Sequence, residues 1–273
     1  MTSSPDPAAG VFETILVEGG GALHLADHLA RLRASVGALY AVELGAELDA
    51  AVAKALGTAP NGAARRLRVV ATPSPQAIAV QASLEPLGAA ALRSAVPLRA
   101  WTVPGGLGPH KWVDRRAIDD AAARLGATPL IVEADGEVLE AAWANVWALE
   151  ATRLLTPPAD GRILPGVTRA RLLAVAGDVG LEAAEERLPL VRLASADAIL
   201  LTSSLRLAVP GRLADEPSAR AAEVAAALRE RALLVEDDDL PAAEVDAVPA
   251  PARRLGRPGA HRGHQPSPRC RSG

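Results

Sequence analysis

The sequence predicts an α+β chain of two halves, and three observations carry that prediction. Amphipathic helical stretches are interspersed with short runs of strand pattern throughout residues 11–234. One stretch, "PLIVEADGEVLEAAWANVWALEATRLLTPP", alternates like a strand meander. Between the halves, "VPGGLGPH" (103–110) packs three glycines and two prolines into eight residues, which discourages any regular element.

Taken in order, "VFETILVEGGGAL" reads as a strand closed by a glycine turn. "LADHLARLRASVGALY" follows, with Leu25, Leu29, Leu32, Val36 and Leu39 on one face of a helix. A second helix is expected over 46–57, then a hairpin with strands 67–72 and 78–84, and a strand near 95–101 that closes the first half. After the Gly/Pro stretch, "VDRRAIDDAAARLG" is an amphipathic helix with Asp114 as its expected N-cap and Gly126 as its stop. The meander turns at Asp135–Gly136. "LPGVTRARLLAVAGDVG" is a helix opened by Pro-Gly and ended by Gly180; "LEAAEERLPL", a buried strand "AILLTSS" and a last helix over about 218–234 complete the pattern. From 248 onward the chain is rich in Pro, Gly and Arg without apolar periodicity, and cannot bury enough surface to order itself. The expected divisions are 1–102, a 103–110 linker, 111–247, and a disordered basic tail over 248–273.

Composition narrows the function classes. A net charge of −3 argues against nucleic acid and against an anionic membrane surface. No apolar run reaches the roughly 20 residues of a membrane span, and the start "MTSSPDPAAG" has no signal-peptide core, so a cytoplasmic location is expected. The single cysteine, Cys270, excludes internal disulfides and cysteine-rich metal sites, and no metal is expected.

Five features could carry chemistry. Lys111 is one of only two lysines among 29 Lys and Arg residues. It is either a surface cation or an amine kept because it can lose a proton, which arginine cannot do. "LPGVTR" (164–169) is either plain helix punctuation or an anion site, using the Val167 and Thr168 amides and the Thr168 hydroxyl. Ser203 and Ser204 in "LTSSLR" either end a strand or donate to the same anion. Glu140, with Asn145 in "VLEAAWANVW", lies either at a wet sheet edge or buried against a cation or a protonated nitrogen. Arg31 is either a solvated helix arginine or a phosphate clamp. His110 stays unassigned, and Trp112 is read as packing.

The order of these features resembles the class IV pyridoxal-phosphate-dependent aminotransferase family over about residues 11–235, through "FET…HLARL..S", "HKW.DR", "E….N", "TPP…ILPGVTR" and "LTSSLR". That resemblance implies a two-domain fold-type IV enzyme, D-amino-acid-aminotransferase-like, with pyridoxal 5'-phosphate in an interdomain cleft of a homodimer. It implies that Lys111 holds the cofactor covalently and acts as the proton-transfer base, and that Glu140 faces the pyridine nitrogen. Arg31, the Val167 and Thr168 amides, Ser203 and Ser204 would grip the phosphate, and Leu164 would pack on the ring face. Within the family, "HKWVDRR" and "TSSLR" look most like 4-amino-4-deoxychorismate lyase, so the expected activity is formation of 4-aminobenzoate and pyruvate. The alternatives are an aminotransferase for branched-chain or D-amino acids, and a non-catalytic partner protein that kept the fold. Family members usually carry a further strand and a substrate-facing tyrosine ahead of "FET"; only "MTSSPDPAAG" precedes it here, so an N-terminal domain without that strand is expected.

Overall fold

The computed structural model describes residues 4–19, 21–57, 63–88, 94–213 and 218–230. They form a mixed α/β architecture built on two sheets. The first sheet has four strands in the order β2-β1-β3-β4: β1 (Val11–Glu18), β2 (Gly21–Ala22), β3 (Arg65–Pro73) and β4 (Ile78–Pro86). All its pairings are antiparallel. Two helices, α1 (Leu25–Tyr40) and α2 (Ala46–Leu56), cover one face. Period 2 on β1 and β3 sends Val11, Ile15, Leu67 and Val69 to meet Leu29, Leu32 and Val36 of α1 and Leu48 of α2. Each fully buried leucine of this core contributes on the order of 2 kcal/mol.

The second sheet has nine strands, β10-β9-β8-β12-β13-β5-β6-β7-β11. They are β5 (Val96–Thr102), β6 (Thr128–Val132), β7 (Glu137–Ala141), β8 (Asn145–Glu150), β9 (Arg153–Thr156), β10 (Glu182–Glu185), β11 (Leu188–Pro189), β12 (Ala198–Ser203) and β13 (Leu207–Arg212). Four helices accompany it: α3 (Arg116–Leu125), α4 (Val167–Val175), α5 (Leu190–Ser195) and α6 (Ala219–Leu228). The central strands are buried on both faces. On β8, Trp147 and Leu149 join Leu172 of α4 and Leu228 of α6, while Val146 and Ala148 join Leu98, Leu130 and Val209. A tight turn between β7 and β8, closed by an Ala141↔Ala144 bridge, curls the sheet around this inner core.

Two sequence expectations change here, two elements are added to them, and one expected segment gains its contacts. The strand near 95–101 pairs in parallel with β6 and β13, so it belongs to the second sheet and not to the first half. The strand β13 was not foreseen because "VPGR" looks like a turn. Pro210 is tolerated since it faces only β12; pairing to β5 starts at Gly211↔Val96. The short helix α5 was also missed. The N-cap position of α3 is Arg115, although the Asp114 carboxylate still accepts the Arg116 N–H at 3.2 Å. Finally, the Gly/Pro stretch 103–110 is irregular as expected but firmly pinned. Its Gly105 N–H donates to Glu133 Oε2 at 2.9 Å and Gly108 N–H to Arg162 O at 3.1 Å, and a Cβ on Gly106 would sit 2.1 Å from Arg162 O.

Gly126 ends α3 with φ +61°, Gly136 turns the β6–β7 hairpin with φ +86°, and Gly180 closes the turn after α4. The last helix is described to residue 230, and the expected basic tail lies outside the described residues. No helix among the described residues is long and apolar enough to cross a membrane.

Candidate active site

The two sheets meet where β1 touches the segment before α3. Phe12 N–H donates to Lys111 O at 2.9 Å, Val113 N–H donates to Gly10 O at 3.0 Å, and Val11 bridges Trp112. This stitch fixes the backbone of Lys111 rigidly between the two units. Its side chain enters a cavity of about 230 Å³.

All eight residues singled out in the sequence line that one cavity. Arg31 comes from α1, Lys111 from the stitched segment and Glu140 from β7. Leu164, Val167 and Thr168 come from the entry to α4, and Ser203 and Ser204 from the end of β12. Residues some 170 positions apart thus converge, because the C-terminal ends of strands and the N-terminus of α4 point to the same place.

Glu140 is 5% exposed, which settles its open alternative in favour of burial. Burial pushes its carboxyl up to about 8, against the opposing Leu164 N–H and the Lys111, Arg115 and Arg31 charges. Its hydrogen bond among the described residues comes from Leu164 N–H, at 3.2 Å to Oε2. Burial also pushes the Lys111 ammonium down to about 8; Arg31 and Arg115 add to the shift, while Glu13 and Glu140 oppose it. The Lys111 Nζ stands 5.2 Å from the centroid of the Phe12 ring, against which the Arg68 guanidinium also stacks, at 3.9 Å.

At the opposite wall, α4 begins at Gly166 with no side-chain cap, so the first-turn N–H groups lack intrahelical partners. A Cβ at Gly166 would meet Asn145 Oδ1 at 1.9 Å. A larger residue there would force the Asn145 side chain to shift, and Asn145 Nδ2–H in turn donates to Leu164 O at 3.0 Å. Ser203 Oγ accepts the Arg206 N–H at 3.4 Å, and neighbouring Thr202 Oγ1 accepts the Trp147 indole N–H at 2.9 Å.

Arg31 is 2% exposed and heavily engaged. Two of its N–H groups reach the Glu13 carboxylate, both at 2.7 Å, and a third reaches Pro165 O at 2.7 Å. Burial alone would raise Glu13, but the Arg31 charge and the His28 hydrogen bond outweigh it and hold the carboxyl well below the usual range. His28 is kept neutral, chiefly by burial, so its Nδ1–H donates to Glu13 Oε2 at 2.8 Å. Sequence reasoning missed Glu13 and His28. The signal was present: His28, Arg31 and Ser35 form a polar stripe at i, i+3, i+7 beside the apolar face of α1. It also missed Arg115, which lines the cavity. His110, left unassigned, lines it too; its Nδ1 lies 3.1 Å from Ser35 Oγ, and its ring meets Trp112 edge-on at 5.6 Å.

Comparison with known proteins places this arrangement. The family model described as amino-transferase class IV matches residues 10–213. The chain belongs to the class IV aminotransferase family. Its two-sheet mixed α/β architecture is the fold-type IV aminotransferase fold. A hypothetical aminotransferase from Mycobacterium tuberculosis, in a form bound to α-ketoglutarate and PMP, superposes with a TM-score of 0.69 at 28% identity, covering 83% of this chain and 92% of that one. A fold IV-transaminase from Curtobacterium pusillum gives a TM-score of 0.72 at 26% identity, covering 84% and 87%. A probable branched-chain-amino-acid aminotransferase from Rickettsia felis is 39% identical over 61 residues. That match spans only 22% of this chain and 21% of that protein. The class IV family is therefore established for this chain, and the three relatives named here carry aminotransferase or transaminase names.

Proposed function

We propose that this class IV family enzyme is a pyridoxal-phosphate-dependent aminotransferase, and that the cavity between its two sheets is the cofactor site. The observation that carries the reading is the meeting, in one cavity, of an amine, a buried carboxyl and an open helix N-terminus. Pyridoxal phosphate has three anchor points: an aldehyde, a pyridine nitrogen and a phosphate. The donor set fits each of them. Lys111 meets the aldehyde and Glu140 the nitrogen, while the Val167 and Thr168 amides, the Thr168, Ser203 and Ser204 hydroxyls and Arg31 hold the phosphate. The glycine N-cap, which has no side chain to cap the helix, leaves the α4 amides open to an anion.

When bound, the cofactor supplies an aldehyde that links to amines and a ring that accepts electron density. The chain's own residues do the rest. Glu140 holds a proton at the pyridine nitrogen, and a cation there lowers the carboxyl from its raised value so that the pair forms charged. Lys111, already shifted down to about 8, takes a proton from the substrate carbon and returns it. Leu164, held by Glu140 and Asn145, presents an apolar face to the ring and limits water. A homodimer is proposed as the working assembly, to be tested by sedimentation.

A second reading keeps the same machinery but ends in elimination: the 4-amino-4-deoxychorismate lyase supported by "HKWVDRR" and "TSSLR". The third, a non-catalytic partner protein, predicts a colourless product. Purified protein supplied with pyridoxal phosphate is expected to absorb in the visible, and Lys111→Ala to lose the covalent link. A colourless wild type sinks both enzyme readings. Keto acid formation from Ala, Glu, Leu or D-Ala supports the aminotransferase; pyruvate plus 4-aminobenzoate from aminodeoxychorismate, without amino transfer, replaces it with the lyase.

A further inference from the structure

The chain holds four Trp, one Tyr and one Phe in 273 residues. Three of the tryptophans, Trp101, Trp112 and Trp143, line the cavity, whereas Trp147 is fully buried in the core. Trp147 serves the core, whereas Trp101, Trp112 and Trp143 are only partly buried and pack from the cavity side against the core clusters. Trp101 and Trp143 pack with Leu107 and Ile118 against buried Leu139 and Ile163, which makes one side of the cavity largely apolar, with the Arg206 guanidinium 4.5 Å from the centroid of the Trp143 ring.

Beside that wall is Arg115, at the foot of α3. It lines the cavity, and with Ile118, Ala142 and Trp143 it also lines an adjoining open pocket of about 320 Å³. Its Nη2–H donates to Ala142 O at 2.7 Å, which orients the guanidinium without neutralising it. Asp119 and Glu140 act on it through space, but burial outweighs them and holds its pKa down, and it makes no side-chain hydrogen bond to either carboxylate. Arg31, the other cavity arginine, is already neutralised by Glu13. A half-buried guanidinium with no direct ion pair is costly, and a carboxylate matches its fork geometry.

We infer that Arg115 is the carboxylate anchor of the substrate and that Trp101 and Trp143 wall the pocket for its side group. The substrate class is an amino-carboxylic acid bearing a planar, largely apolar group, which stacks on indole better than a short aliphatic chain does. The inference rests on reading this cavity as the aminotransferase-family site and goes beyond it by naming what the site selects.

Three unreactive probes test it on the cofactor-loaded protein: 3-phenylpropionate, its neutral amide 3-phenylpropionamide, and propionate. Affinities come from calorimetry and tryptophan fluorescence. In the wild type, the amide should bind about 10- to 100-fold more weakly than the acid, and propionate more weakly than phenylpropionate. Arg115→Gln should bring the acid down to the level of the amide and leave the amide unchanged, with Arg115→Lys recovering part of the loss. Trp101→Leu or Trp143→Leu should weaken phenylpropionate but not propionate. Equal binding of acid and amide by the wild type, or an Arg115→Gln protein that binds the acid normally, overturns the inference. Should Arg115→Gln fail to fold, the wild-type acid-against-amide ratio and the Lys variant still decide. A protein that shows no visible absorption with pyridoxal phosphate overturns the family reading of Lys111 and the inference with it, a failure distinct from a yellow, loaded protein that binds acid and amide equally.

Discussion

Replacing Glu13 by glutamine tests whether the Glu13–Arg31–His28 cluster holds the two units of the site in register. Arg31 is 2% exposed, and its 2.7 Å bonds to Oε1 and Oε2 of Glu13 are the charge partners that make its burial affordable. Its third bond, to Pro165 O, ties α1 to the loop leading into α4. Glutamine keeps the shape but removes the charge, leaving a buried guanidinium facing neutral groups. Breaking one partner of such a buried pair costs about 3–5 kcal/mol. At about 2–4 °C per kcal/mol for a chain of this size, the melting temperature should fall by about 6–20 °C. The pH dependence carries a second signature. Glu13 has a depressed folded pKa, so its contribution is present above the unfolded value of about 4.3 and is lost as the pH falls further. The wild type should therefore lose stability below about pH 4 more steeply than Glu13→Gln. The double variant Glu13→Leu/Arg31→Met, which removes both charges, should recover part of the loss in stability while weakening cofactor affinity. Thermal melts of the cofactor-free proteins by circular dichroism read all of this. A Glu13→Gln protein melting within about 2 °C of the wild type at pH 7 would refute the argument that this pair is what makes the buried arginine tolerable.

Two further outcomes follow from the same geometry. Glu140 is an acid whose folded pKa is raised, so the unfolded chain releases its proton first, and stability drains away as pH climbs from about 4.3 to about 8. Glu140→Gln keeps an acceptor for Leu164 N–H; the cofactor-free variant should hold its melting temperature across that range and exceed the wild type at pH 8, while losing affinity for pyridoxal phosphate. Parallel melting curves for the two proteins from pH 5 to 8 would count against the burial argument. Gly166→Ala should cost about 1–3 kcal/mol, because the new Cβ is aimed at Asn145 Oδ1. In an Asn145→Ala background the same change should cost far less. A double-mutant cycle showing additive effects would place the steric conflict elsewhere.

Much of this molecule was legible before its structure. The helices α1 and α2, the β3–β4 hairpin and the meander from β6 to β9 show plain periodicity, and their boundaries fall where glycine turns and polar breaks predict. The cavity residues were legible for another reason. Lys111, Glu140, "LPGVTR" and "LTSS" each allow a plain structural role when taken alone, and it is their order along the chain, through the resemblance to the class IV family, that singles them out. What stayed hidden was either paired through space or disguised by local chemistry. Pro210 and Gly211 masked β13, since local propensity cannot see that β5 joins the pairing one residue later. Glu13 looked like an ordinary strand residue until α1 brought His28 and Arg31 against it. Arg115 read as part of an Arg-rich helix start, because its place in the cavity wall, bonded to Ala142 O, is a property of the fold and not of the sequence.

The sequence by itself determined most of the helices and strands, though not β13 or α5, and which side chains are able to do chemistry, because periodicity, turn propensity and functional-group identity are local properties. Tertiary structure alone decided which sheet β5 joins and that the Gly/Pro stretch is pinned against Arg162 and Glu133. It also decided that two ordinary ionisable groups, Lys111 and Glu140, are displaced towards each other in proton affinity. Those outcomes depend on burial and on charges brought together from distant parts of the chain, and neither exists until the chain has folded.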